Sequence, residues 1–346
     1  MPSLPFANAL KPAAQLLKQL ATVQAREPKI SIGVDIGATS VKAIALGARK
    51  GTGPRPIIGQ RLVPLDESKA GSDVSAAMKA AVEAMNVPVP PVNLAVSGQW
   101  VIMRIVEMPT MKPAEMKQAL PFEAQRYLPF NVQEVTIDGV ALGPSDASKT
   151  WVLIVACKKE LIERRLDAAR GAGCEVALID VDALALANAF LAGFNGQGSS
   201  GGTQALIDVG AQLTNLVIFR NGTPYLVRDI PWGGEKLIRG AVEHAGVEAG
   251  AVASALIQGE LSPQLMAAVA SASETLVTEL QLSFDYFENR FGQPPDQLLV
   301  SGGLSQSAGF IEAVKSHLTQ GVNLWTPVEG LSGQFAVAYG LALRTN

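Results

Sequence analysis

The sequence is poor in the side chains that most often bind metals or form disulfides. It holds two histidines, His244 and His317, and two cysteines, Cys157 and Cys174, in 346 residues. Each histidine stands alone in a helical pattern, which suits a surface or packing role and argues against a histidine metal site. The cysteines lie in apolar runs and read as buried thiols of a reducing compartment, not as a disulfide or metal pair. Basic and acidic residues nearly balance, 28 against 31, for a net charge of −3. No basic surface therefore speaks for nucleic acid. No apolar run approaches the roughly 18 residues that cross a bilayer. The N-terminus lacks the basic start, long apolar stretch and small-residue cleavage site of a signal peptide. A cytoplasmic protein is expected. Also missing is any Gly-x-x-x-x-Gly-Lys-Ser/Thr run, so a phosphate site in this chain is not a P-loop.

What the chain does have is glycine, 33 residues of it, a hydrophobic content of 48%, and length enough for two or more domains. This is the profile of an α/β protein. Residues 30–46 read as an apolar strand, a tight Asp35-Ile36-Gly37-Ala38-Thr39 turn and a second strand. A third strand is expected over 56–63, a helix over 74–85 with Ser72 or Asp73 as its N-cap, and a short buried strand over 93–98. Three meandering strands followed by helix and strand suggest one ribonuclease-H-like half. Residues 101–174 then read as strand, helix (113–127), strand, strand and helix, the size of a small domain. A strand over 175–180 and an Ala/Leu helix follow, and 195–203 is linker-like. Past it the opening pattern recurs: 205–219 is strand, Asp208-Val209-Gly210 turn, strand, with Asn221-Gly222 as a hairpin turn. The chain is mostly helical from 233 to 291, and 298–303 is a buried strand running into a glycine pair. Two halves that open alike predict a duplicated fold. Near the N-terminus, Leu10, Ala13, Ala14, Leu16, Leu17, Leu20 and Val23 fit an amphipathic helix, either a docked or frayed extension or a peripheral contact.

Two Asp-x-Gly hairpins from repeated halves can face each other across a cleft. Asp35 and Asp208 then offer carboxylates to a hydrated Mg²⁺. The backbone of Gly37, Ala38, Gly210 and Ala211 offers amides to β- and γ-phosphates. Thr39 and Thr214 can add hydroxyls, and Ser40 falls in the same phosphate-binding set. Lys42 is a phosphate contact or a surface lysine, since it sits in a strand whose alternate residues are expected to face solvent. Gln212 can orient a water or simply occupy a surface turn, and no residue stands out as a catalytic base. Such a site works by positioning and charge neutralisation. Ser301-Gly302-Gly303-Leu304 is a structural corner, or a place where backbone approaches a flat group beside a helix N-terminus. Gly233-Gly234-Glu235-Lys236 is an ordinary helix start, or brings Glu235 or Lys236 to a ribose or base. The adenosine side of a nucleotide site would thus comprise Gly234, Glu235, Lys236, Gly302, Gly303 and Leu304.

The order of these signals resembles the actin, Hsp70 and sugar-kinase superfamily, and the insertion between Val101 and Cys174 resembles the extra subdomain of its FtsA branch. The run from Ala119 through Pro121-Phe122-Glu123 and Gln125-Arg126-Tyr127 to Phe130 closely resembles a signature of the PilM family of type IV pilus assembly. Gly171-Ala172-Gly173-Cys174-Glu175-Val176, the stretch 179–186 that holds Asp180 and Asp182, and Ser283-Phe284-Asp285-Tyr286-Phe287 are similar to that family too. The likeness runs from about Lys29 to Leu343. Ala38 departs from it where many relatives carry Ser or Thr, which leaves Thr39 as the substitute hydroxyl.

The resemblance implies an α/β, two-lobed actin-like fold: a duplicated ribonuclease-H-like unit with an inserted FtsA-type 1C subdomain. Lobe 1A would comprise 29–103, 175–198 and 331–346, subdomain 1C 104–174, lobe 2A 199–232 and 296–330, and a mostly helical 2B 233–295, with 1–28 outside. ATP and Mg²⁺ are implied between the lobes, structural or switching more than turned over, with slow ATPase activity the most that is expected. The implied role is a cytoplasmic scaffold at the inner face of the inner membrane, peripheral through its partners. It would bind the cytoplasmic N-terminal peptide of PilN beside the inserted subdomain, with further contacts to the pilus motor ATPases. The implied groove wall is the helix around 115–127, with Met111, Met116, Leu120, Glu123 and Tyr127 as contacts. Read from the residues alone, Met103, Met108, Met111 and Met116 with Phe122, Tyr127 and Phe130 are either an adaptable peptide surface or simply the subdomain's core. Two other readings compete. A small-molecule kinase of the superfamily wants a further Asp as general base in the first lobe and a substrate loop, and neither is evident. A filament-forming protein like FtsA carries a C-terminal amphipathic membrane helix, which is not expected past the helix ending near 343.

Overall fold

The computed structural model describes residues 28–51, 53–65, 74–193 and 202–344. β1 (Ser31–Ile36), β2 (Ser40–Leu46) and β3 (Ile57–Pro64) form an antiparallel meander, and α1 (Val74–Glu83) leads to β4 (Val92–Val96), parallel to β1. Next come β5 (Val101–Pro109), α2 (Pro113–Ala124), β6 (Val135–Pro144), β7 (Lys149–Lys158) and α3 (Lys159–Gly171). β8 (Val176–Val181) returns beside β4 and runs into α4 (Asp182–Gly193). The second half opens with β9 (Thr203–Val209), β10 (Thr214–Arg220) and β11 (Thr223–Ile230), followed by α5 (Gly234–Ala245), α6 (Ala249–Gln258) and α7 (Pro263–Phe291). β12 (Gln297–Ser301), α8 (Ala308–His317), β13 (Gly321–Leu324) and α9 (Ala336–Leu343) complete the described chain.

The two five-stranded sheets repeat one topology. Their orders, β3-β2-β1-β4-β8 and β11-β10-β9-β12-β13, place three antiparallel strands beside two parallel ones in each case. Local sequence explains the punctuation. Asn221 and Gly222 take positive φ of 52° and 75°, as the β10–β11 turn requires. Ser262 accepts the Leu265 amide to cap α7, and Pro113 opens α2 where no amide is needed. The helix expected at 10–23, the Ser72/Asp73 cap and most of the 195–203 linker lie outside the described residues. No helix among the described residues is long and apolar enough to cross a membrane.

Both faces of the first sheet are covered. α1 sets Met78, Ala81 and Val82 against Ile32, Val34 and Ala43, while α9 sets Ala338 and Tyr339 against Ile44 and Leu46. β1 and β2 are therefore apolar on both faces apart from Ser31, Asp35, Ser40 and Lys42, the pattern of a sheet buried on two sides. α9 lies so close that a Cβ on Gly33 would stand 2.2 Å from the Ala338 carbonyl oxygen, and one on Gly340 1.8 Å from that of Ala185 in α4. β5, β7 and β6 form a separate three-stranded sheet, inserted between β4 and β8. One face packs on α2 through Val106, Met108, Leu120, Val152 and Ile154. The other sends Met103, Leu142 and Leu153 into a core shared with Phe190, Phe219 and Val227. Trp151 of β7 also meets Tyr225 and Phe291 edge-on, with ring centroids 6.2 and 5.5 Å away.

Candidate functional site

Where the halves meet, the two Asp-x-Gly hairpins bring Asp35 and Asp208 within electrostatic reach of Lys42. In the first, the antiparallel register sets Asp35 opposite Lys42, and Lys42 Nζ donates to Asp35 Oδ2 at 2.9 Å. The pair is mostly buried, with side-chain exposures of 16% for Lys42 and 10% for Asp35. Lys42 is thus not the surface lysine of a half-exposed strand, because α9 covers the face that alternation assigns to solvent. Burial opposes its ammonium form, but Asp35, Asp208 and Asp182 outweigh that, and its pKa stands above the usual lysine value. In the second hairpin the equivalent register sets Asn215 opposite Asp208. Ser301, at the end of β12, donates its hydroxyl to Asp208 Oδ1 at 2.8 Å. Burial pushes the Asp208 carboxyl up to about 6, with the Ser301 hydrogen bond and Lys42 opposing and Asp35 adding.

Two more acids complete the cluster, and no local sequence pattern marked either as a site residue. Asp182 is the first residue of α4. Burial and the Asp35 charge push it up to about 7, against the Ser97 hydroxyl and Arg165, which favour its anion; Asp229 adds to the rise. Asp229 of β11 accepts the Gly98 amide at 2.7 Å and Asn215 Nδ2 at 2.8 Å, so it ties the β4–β5 turn to the second half. Burial raises its pKa, and those two hydrogen bonds hold it down. The signal for both residues is tertiary: they reach the cleft only through the packing of α4 and β11.

The turns supply donors, though not at every expected position. Gly37 N–H donates to the Ser40 carbonyl and Gly210 N–H to the Leu213 carbonyl, so both glycine amides close their own hairpins. The amides of Ala38, Thr39, Ala211 and Gln212 donate to no group among the described residues, and Ala38 and Gln212 are exposed. Thr214 is fully buried and its hydroxyl donates to the Trp232 carbonyl at 2.8 Å; it braces the hairpin and faces no cleft. Ser40 is buried as well, at the start of β2.

The elements expected on the adenosine side come together. Gly234 and Glu235 amides donate to the Gly210 and Ala211 carbonyls at 3.0 and 2.8 Å, so the start of α5 is seated on the second hairpin. A Cβ on Gly233 would meet Ala211 at 2.6 Å, and one on Gly234 would touch Leu304 at 3.8 Å. These two amides are consequently spent inside the protein, and Lys236 Nζ is taken by the Pro231 carbonyl. Gly302, with a φ of 90°, presses on Val209, where a Cβ would stand 2.4 Å from the amide nitrogen. Gly303 beside it is open, with nothing within 4 Å of an added Cβ.

The methionines entering the inserted subdomain pack inward, Met103 into the shared core and the others against α2 and the sheet. Met103 and Met108 are buried, and Met111, Met116 and Tyr127 lie against a cluster built on Leu120, itself 3% exposed. Leu120 is therefore unavailable as a groove contact: it points at the sheet, with its methyls against Gly139. Glu123 pairs with Arg126 at 3.0 Å and accepts from the Tyr127 hydroxyl at 3.1 Å. The open apolar surface lies on the other side of α2. Phe122 is 78% exposed, and with Pro121, Gln125, Phe130 and Val132 it lines a shallow groove of about 450 Å³. Lys158 stacks its ammonium 4.6 Å from the Phe130 ring and 5.4 Å from the Trp100 ring.

Comparison with solved structures agrees with this architecture. The chain is similar to a PilM-PilN type IV pilus biogenesis complex structure, at 24% identity over 91% of this chain and 98% of that one, with a TM-score of 0.78. It is similar to the ethanolamine utilization protein EutJ of Carboxydothermus hydrogenoformans at 14% identity over 97% and 99% of the two chains, TM-score 0.54. Spiroplasma citri MreB 5, solved bound to AMPPNP, matches at 12% identity over 91% and 95%, TM-score 0.50. The fold is actin-like, a duplicated α/β unit with an inserted subdomain. A sequence model described as "Type IV pilus assembly protein PilM" matches residues 33–346. That match spans nearly the whole chain, first hairpin and α9 included, and this protein belongs to the PilM family of type IV pilus assembly proteins.

Proposed function

We propose that this protein is a nucleotide-binding scaffold of the type IV pilus inner-membrane assembly complex. It works at the cytoplasmic face, holds ATP and Mg²⁺ between its lobes and takes the N-terminal peptide of PilN beside the inserted subdomain. The observation that carries the nucleotide reading is the gathering of Asp35, Asp182 and Asp208 around Lys42, next to turns whose Ala38, Thr39, Ala211 and Gln212 amides donate to no group among the described residues. Asp35 and Asp208 would hold the cation through its waters, the choice of donor that Mg²⁺ favours. The Ala38, Thr39, Ala211 and Gln212 amides would take phosphate oxygens, and the open backbone at Gly303 would back the base. Bound Mg²⁺-ATP supplies a phosphoanhydride whose charge the cation neutralises.

Turnover is a second reading, and Asp182 is the observation that favours it. Asp182, which burial and Asp35 push up to about 7, would be the group to accept a proton from an attacking water. Its burial beside Asp35 makes it a reluctant anion, which fits slow hydrolysis and a nucleotide that is held more than consumed. For the partner, the groove at Phe122 and Phe130 offers an apolar floor, with the Lys158 cation stacked on the Phe130 ring, and the similar solved structure is a complex with PilN.

Thermal unfolding tests the nucleotide claim. Mg²⁺-ATP at about 100 times its Kd is expected to add about 2.7 kcal/mol, and Asp35→Ala combined with Asp208→Ala is expected to abolish that gain. An unaltered chain that shows no stabilisation at millimolar Mg²⁺-ATP would end this reading. The peptide claim predicts that Phe122→Ser weakens binding of the PilN N-terminal peptide while leaving stability within about 0.5 kcal/mol, as for an exposed side chain.

A further inference from the structure

We propose that Arg165, carried by helix α3 of the inserted subdomain, is a positioning residue of the nucleotide cleft, fixing the first acidic turn through the carbonyl of Ile36. The proposal rests on the nucleotide reading above. Arg165 Nε donates to the Ala95 carbonyl at 3.0 Å and Nη2 to the Ile36 carbonyl at 3.2 Å. Ala95 and Ile36 lie near the ends of β4 and β1, neighbouring parallel strands. There the strand ladder runs out, and the guanidinium supplies the missing donors. A planar fork of N–H groups spans two carbonyls at once, which a single ammonium does not do with the same geometry. The fork is itself anchored, because Ala169 of α3 and Ala172, the residue that follows the helix, are buried in the core with α1.

The Ile36 carbonyl shares a rigid peptide plane with the Gly37 amide. Gly37 N–H in turn closes the turn on the Ser40 carbonyl at 3.0 Å. Holding one edge of that plane therefore aims the next two amides, those of Ala38 and Thr39, at the place where phosphate oxygens would sit. The same guanidinium also favours the anion of Asp182, the first residue of α4. A tie that only glued α3 to the sheet would show no preference for the number of phosphates on a ligand. A positioning role does, because the turn serves the outer phosphates and not the nucleoside.

Isothermal titration of the full chain with Mg²⁺-ATP and, separately, with AMP separates these roles. Arg165→Met is expected to weaken ATP about tenfold, the equivalent of one hydrogen-bonded charged donor, and to leave AMP affinity unchanged. Arg165→Lys, which keeps the charge and loses the fork, is expected to lie between them for ATP, and it carries the test alone if the methionine variant does not fold. Equal losses for ATP and AMP, or no loss for ATP in a folded variant, would overturn the positioning role and leave the nucleotide reading standing. An unaltered chain that binds neither ligand overturns both.

Discussion

The two acidic hairpins share a backbone and differ in how their carboxylates are held. In the first, the cross-strand neighbour of the acid is Lys42, and the charge is met by an opposite charge at 2.9 Å. In the second, that neighbour is Asn215, which turns away to Asp229, and Asp208 receives a hydroxyl from Ser301 instead. One hairpin is thus locked as an ion pair; the other keeps a carboxyl that burial has pushed up to about 6. The lesson is that a duplicated unit can keep its hairpin register while assigning different electrostatic work to each copy. The first copy meets its acid with an opposite charge, and the second holds its acid where burial disfavours the anion.

The largest expected effect is on pH dependence. Asp208 and Asp182 sit at about 6 and about 7, above their unfolded value near 3.9. Each therefore contributes stability that is fully present below about pH 4 and is lost as pH rises through the folded value. Unfolding by urea without nucleotide should show stability falling between about pH 4 and pH 7, by an amount on the order of several kcal/mol. Asp182→Asn and Asp208→Asn should each flatten that slope. A flat profile in the unaltered chain would break the contrast between the hairpins.

Next in size, Lys42→Met should cost about 3 kcal/mol, since it leaves Asp35 buried without its partner. The matching change in the second hairpin, Asn215→Ala, should cost about 1 kcal/mol, the scale of one hydrogen bond. Equal losses would mean that the two copies are held alike after all. The smallest effect sharpens the picture at a single atom. Ser301→Ala should cost about 1 kcal/mol and raise the Asp208 carboxyl above about 6, because the hydroxyl that favours its anion is gone. A carboxyl ¹³C titration reads that shift directly, and a downward shift would reverse its assigned cause.

Much of this arrangement was legible in the chain. The hairpins, their acids, the repeated strand order and the inserted segment all follow from local patterns: apolar runs, Asp-x-Gly turns and the Asn221-Gly222 turn. What escaped was set by parts of the chain far away. Lys42 looked half-exposed because α9, which covers its sheet, lies almost three hundred residues later. Gly37 and Gly210 looked like phosphate donors, but a hairpin this tight uses the glycine amide to close itself. The resemblance implied Leu120 and Met116 as groove contacts while the residues alone left core or peptide surface open, and only the position of β6 and β7 shows that they pack inward. Asp182 and Asp229 gave no warning, since a carboxylate at the head of an apolar helix or inside a strand is locally unremarkable.

The placement of α9 bears on how the protein is made. The first lobe's sheet begins at residue 31, yet the helix that seals its second face, wedged against Gly33 and Ala185, is residues 336–343. A ribosome reads out the entire second half before that helix emerges. During synthesis the opening strands must wait with an apolar face uncovered, a long-range closure of the kind that slows folding and invites association with other chains. The second half, whose strands and helices are contiguous in the chain, is free to consolidate first and offer the unfinished lobe a template against which to close.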